Sequence, residues 1–172
     1  MTPDTLRFAS ALVFGIALAL FILVPVACTY GEVDGLDGTP VVMDYPDLWA
    51  SLDPVSCVTY AVGDILCHQD SARSFHINGS QLPICVRDVS ALAGLFAGML
   101  LTFRIGMYTS DRRFCIPFLI ASFGLMIADV VIQNVLSLNV VPTRVITGML
   151  CGLSVAFAMD MWFRSFEPDT GV

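Results

Sequence analysis

The chain has 172 residues, of which 56% are hydrophobic and 13% charged, with fifteen acids against eight arginines, no lysine and a net charge of −7. A soluble domain is about a quarter charged, so a mean hydropathy of +0.80 asks for a solvent other than water. The same balance excludes nucleic-acid binding, because no basic patch exists to meet phosphates.

Four long apolar runs follow in chain order, at residues 8–28, about 89–103, 114–136 and 140–163. Each approaches or exceeds the ~20 residues needed to cross a hydrocarbon core, the second if it starts near Ile84 with Arg87 and Asp88 at the interface. The expected fold is an all-α integral membrane protein of about four transmembrane helices in a small bundle. A short outer-side helix and an acidic loop complete it. The first run, with the residues before it (1–28), reads as a retained anchor. A cleaved signal fits less well, because the run is long, a twin arginine is missing, and the proline in PVAC fits a lipoprotein cleavage site poorly.

Residues 29–54 form an acidic Gly/Pro-rich loop, read as turns with little regular structure. Eight acids fall between Glu32 and Asp70 with no base before Arg73, a pattern expected of a solvated face. A calcium-binding loop is the alternative, though the spacing GEVDGLDG lacks the full ligand pattern of an EF-hand. Such acid-rich, lysine-free composition is similar to that of salt-loving archaea. Asp53-Pro54 then reads as a helix start, cap and first position. It opens a short helix over residues 55–66 with Val55, Val58, Val62 and Leu66 on one apolar face, suited to the membrane surface or to packing on the bundle.

Arginines in short loops set orientation. Arg104, Arg112 and Arg113 put the second connection in the cytoplasm, with Arg7 and Arg164 on the same side. The protein is thus expected in the plasma membrane with a cytoplasmic N-terminus. Residues 29–83 and the turn at 137–141 then face outward. Residues 55–164 form the core and 165–172 an acidic tail. Gly94-x-x-x-Gly98 and Gly148-x-x-x-Gly152 predict close helix approach within the bundle.

Charges inside a bilayer are costly and so informative. Asp129 and Gln133 share one face of the third span, and Arg144 opens the fourth across a short turn, making Asp129 and Arg144 expected neighbours. With Arg87 at the start of the second span and Arg73 in the loop, these residues predict a polar pocket opening outward. Asp160 is expected at the interface beside Arg164, without a function.

The stretch CHQDSARSFHINGSQLPICVRD, residues 67–88, is a polar island in this chain. Cys67 and His68, with Cys85 and Asp88 one helical turn apart, supply ligands suited to zinc or another divalent transition metal, with His76 as an alternative. The competing reading is a Cys67–Cys85 disulfide, with Cys57 able to pair with either. Cys28, Cys115 and Cys151 read as small core fillers.

Cys67-His68-Gln69, Arg73-Ser74-Phe75, Gly79, Leu82-Pro83-x-Cys85-x-Arg87, Asp129-x-x-x-Gln133 and Arg144-x-x-Thr147-Gly148-x-x-x-Gly152 together resemble the small membrane proteins catalogued as domain of unknown function 2085. The resemblance covers about residues 57–160 and implies a membrane location and a three-span core, without an activity. Many members carry cysteine where this chain has Asp88, which keeps a metal ligand and removes a thiol. Three functions follow as expectations. One is a metal-binding protein or metal-assisted membrane enzyme, with Arg73 or Arg87 holding a small anionic ligand. Another is a binding or transport component for a small solute or lipid headgroup. The third is a subunit whose helices pack on a membrane-protein partner. Thiol redox chemistry is weakened by the missing Cys-x-x-Cys pair. No nucleophile–base, phosphate-loop or HExxH pattern occurs.

Overall fold

A computed structural model describes residues 2–109 and 111–166, with residues 105–109 described by backbone only. Most of the acidic tail at 165–172 therefore lies outside the described residues. The elements in order are α1 (Pro3–Ala27), α2 (Pro46–Ser51), α3 (Pro54–Leu66), β1 (His76–Ile77), β2 (Ser80–Gln81), α4 (Val86–Thr109), α5 (Arg112–Val135) and α6 (Val141–Arg164). Helices α1, α4, α5 and α6 are long and apolar enough to cross a membrane. The protein is an all-α membrane protein.

The chain forms two compact units, Met1–Ile16 with Ser90–Val172, and Ala17–Val89. In the first, the glycine spacings do what lipid demands of them, letting backbones meet where no hydrophobic drive brings helices together. A methyl group on Gly94 would overlap the Met149 carbonyl, and one on Gly152 the Ala91 carbonyl. Ala11, Met99, Ala156 and Phe163 form the apolar core there. Ser122 and Ser154 share a 2.6 Å hydroxyl hydrogen bond between α5 and α6.

Asp160 is fully buried rather than interfacial. It accepts from Arg7 Nε of α1 and, at 3.4 Å, from Arg164 Nε one turn along α6. Arg7 also meets Asp4 at 2.5 Å. Arg164 is the expected neighbour, and an ion pair between α1 and α6 joins it, because the charge can be buried only when a cation comes with it.

The second unit is built on α3. Asp53 caps it as expected, accepting from Val55 N at 3.0 Å and Ser56 N at 3.3 Å. The valines of α3 stay exposed, and the helix instead buries Ser56, Thr59, Tyr60, Gly63 and Asp64. The acidic loop contains a helix where turns were expected, α2, which carries Trp49 onto α3. The Trp49 and Tyr60 rings stack with centroids 5.2 Å apart, and with Val24, Val33 and Leu36 they form a small core. Asp64, expected among solvated acids, is completely buried beneath this loop. Strands β1 and β2 pair antiparallel across Asn78-Gly79, both at positive φ (54° and 71°). Two left-handed residues in succession define the type I′ hairpin turn, for which Asn-Gly is the preferred pair.

The contrast between two glycines tests the helix packing. Gly152→Ala forces α6 off α4 and should cost about 1–3 kcal/mol, whereas Gly124→Ala meets nothing within 4 Å. Thermal unfolding in detergent should show a lowered midpoint for the first variant and none for the second.

Candidate metal centre

The site forms where the C-terminal end of α3 meets the segment leading into α4. At Gly63 the Pro83 carbonyl lies so close that any Cβ would overlap it, so only glycine permits the approach. The Cys67 backbone N–H closes α3 on Gly63 O at 2.9 Å, and Cys85 follows Pro83 by two residues. Helix end and loop are therefore held in register by one backbone contact.

Two buried glutamines secure that register. Gln69, in the left-handed region at φ 47°, donates from Nε2 to Pro83 O at 2.9 Å and to Tyr60 O at 3.4 Å. Gln81 donates from its own Nε2 to Gln69 O and accepts from Leu36 N at 3.2 Å. Tyr60 Oη donates to Gln81 O at 2.7 Å. Buried backbone groups must be satisfied, and in this irregular stretch side-chain amides do what a ladder does elsewhere.

The result brings Cys67, Cys85 and Asp88 together: the two sulfurs and a carboxylate oxygen all lie within 4.8 Å of one another. Cys67 is buried, Cys85 half-buried and Asp88 exposed. The Cys85 N–H points at Cys67 Sγ at 3.3 Å, and Cys85 Sγ donates to Asp88 Oδ2 at 3.1 Å. All six cysteines are thiols. The Cys67 thiol is pushed up by its hydrogen bond with Cys85, by burial, and by the Cys85 and Asp88 charges. Cys85 moves down because Cys67 S–H stabilises its thiolate, against burial and the Asp88 charge. Cys85 thus donates to Asp88 when protonated and accepts from Cys67 when ionised.

The histidines lie elsewhere. His68 follows Cys67 but is exposed and outside the three-residue group. His76 Nε2 meets Asp34 Oδ1 at 3.1 Å and Ser71 Oγ at 3.2 Å. The Gly35 N–H and His76 hold the Asp34 carboxyl below its usual range.

Of the residues assigned to a polar pocket, Asp129, Gln133 and Arg144 meet through the buried Gln133. It donates to Asp129 Oδ1 at 2.7 Å and to Thr143 Oγ1 at 2.8 Å, and accepts from Arg144 Nε at 2.6 Å. Arg73 and Arg87 belong to the other compact unit, where Arg73 pairs with Asp70 at 3.0 Å. An open cavity of about 350 Å³ between α5 and α6 is lined by Leu119, Phe123, Val155, Ala158, Met159 and Trp162. Its apolar walls suit hydrocarbon.

Residues 67–158 match the family described as "Predicted membrane protein (DUF2085)". The chain belongs to this family. The matched segment starts at Cys67 and takes in every side chain of the three-residue cluster. The chain is also similar to "Uncharacterized protein MJ1492" of Methanocaldococcus jannaschii, 32% identical over 125 residues, covering 66% of this chain and 76% of the relative. No solved structure matches. This is a multi-pass membrane protein.

Thiolate is the reactive form, so the opposite shifts of the two cysteines predict an order of labelling. In native protein at neutral pH, iodoacetamide should modify Cys85 well before Cys67, read by peptide mass spectrometry over a time course. Equal rates would contradict the burial and proton sharing described above.

Proposed function

We infer that the protein is a membrane metal-binding protein whose Cys67, Cys85 and Asp88 hold zinc or another divalent transition metal. The observation that carries this is the convergence of two sulfurs and a carboxylate within 4.8 Å, at the point where α3 meets the start of α4. Two thiolates favour zinc over hard cations such as magnesium, and a tetrahedral ion held by three protein ligands keeps one position for water or a small anionic ligand. A metal so held polarises what it binds and lowers the proton affinity of a bound water. The clustered arginines Arg104, Arg112 and Arg113 support a cytoplasmic second connection, and with it an outward-facing metal centre in the plasma membrane.

A structural Cys67–Cys85 disulfide is the second reading, favoured by the direct contact of the two thiols. The two readings separate cleanly. Elemental analysis of purified protein should find about one transition metal ion per chain, lost in Cys85→Ala. Metal absent from both preparations sinks the metal reading, and a mass gain on alkylation only after reduction establishes the disulfide. Because Cys67 retains its proton below an elevated pKa, metal must displace it. Affinity should rise with pH by about tenfold per unit for each proton released, measured by competition with a zinc chelator between pH 6 and 8.

A further inference from the structure

Asp64 stands in the last turn of α3, which carries no basic residue there. Carboxylate at a helix C-terminus faces the negative end of the dipole, and burial makes its charge costlier still. Its Oδ2 is well provided for, accepting from Asp44 N at 3.0 Å, Tyr45 N at 3.2 Å and Trp49 Nε1 at 2.7 Å. The other oxygen is not. Asp64 Oδ1 is buried with no hydrogen-bond partner among the described residues.

That oxygen looks into a small space at Gly38. A Cβ built on Gly38 would stand 3.0 Å from Asp44 Oδ2, 3.2 Å from Asp64 Oδ1 and 3.6 Å from the His68 carbonyl oxygen. Two carboxylate oxygens and a backbone carbonyl thus border one space, and all three are acceptors, Asp44 Oδ2 also receiving the Thr39 N–H. Asp44 is exposed and Gly38 half-buried, so two of the residues bordering the space lie at the protein surface. Residues 17–89 contain nine acids and two arginines, and the Arg73 guanidinium is already paired with Asp70. An acceptor-only cage at a helix C-terminus asks for a cation, and its oxygen-only composition asks for a hard one.

We propose that Asp64 Oδ1, Asp44 Oδ2 and the His68 carbonyl bind a calcium ion on the acidic loop, with water completing the coordination. The site is independent of the thiol cluster: its donors are all oxygen, and the GEVDGLDG pattern contributes only Gly38, as the residue whose missing side chain leaves room. The ion would tie the loop at residues 38–44 to the end of α3, where Val41 N already bonds Ile65 O at 2.8 Å. Two carboxylates make a modest site, with an expected Kd on the order of 10⁻⁴–10⁻³ M, as in extracellular modules.

Trp49 reports on the site because its indole N–H bonds Asp64 directly. The full chain in detergent, treated with chelator and carrying Trp162→Phe, should show a saturable fluorescence change on calcium titration. Gly38→Ala, which fills the space, and Asp44→Asn, which removes one charge at an exposed position, should each weaken it about tenfold or more. Cys85→Ala should leave it unchanged. Neither deciding variant touches the hydrogen bonds to Asp64 Oδ2, so the fold is expected to survive, and unchanged thermal unfolding in chelator checks that. The proposal is overturned by any of four results: no saturable response, a response reproduced by sodium chloride at matched ionic strength, one retained in both Gly38→Ala and Asp44→Asn, or one lost in Cys85→Ala.

Discussion

The approach of α3 to the chain entering α4 is limited by backbone rather than by side chains, and the rest of the second unit depends on it. At Gly63 a helix turn rests against the Pro83 carbonyl with no space for a methyl group. Four residues on, Cys67 leaves the helix, and two residues after Pro83 comes Cys85. A helix end and an irregular loop have no ladder to hold them in register, so the structure buries Gln69 and Gln81 to bond backbone on both sides. Such amides are costly if left unsatisfied, which makes the arrangement specific: a shift of one residue would strand several buried partners.

The membrane part solves a different problem with related means. Lipid gives helices no hydrophobic reason to associate, so close backbone contact at Gly94 and Gly152 and the buried pairing of Arg7 with Asp160 supply what apolar burial supplies in water. The Gln133 network likewise joins α5 to the first turn of α6 through one amide serving Asp129, Thr143 and Arg144. In both units most buried polar groups among the described residues are paired within the chain, and Asp64 Oδ1 stands out as one that is not.

Much of this was legible in the residues themselves. Hydropathy marks all four long helices, because a span of ~20 apolar residues has few other uses. Asp53-Pro54 marks the start of α3 because cap and first-turn chemistry are local. Cys85-x-x-Asp88 puts a thiol and a carboxylate on one helical turn. Two departures from the sequence reading turn on contacts between residues far apart in sequence. Asp160 looks interfacial until Arg7, 153 residues earlier, is brought to it. Asp64 looks solvated until Trp49 and the loop close over it, and α2 is too short to announce itself by periodicity. His68 adjoins Cys67 in sequence but is exposed and outside the cluster of Cys67, Cys85 and Asp88. The Asn78-Gly79 turn carried a signal that could have been used.

Joint binding of one metal ion by Cys67 and Cys85 is read by cobalt(II) substitution, because thiolate ligands give an intense charge-transfer absorption that carboxylates and water do not. The wild-type protein should show such a band, with an intensity appropriate to two sulfurs, reduced to that of one or lost in Cys67→Ser. Cobalt bound without thiolate absorption, or a protein whose Cys67 and Cys85 emerge as a disulfide-linked peptide, would contradict it.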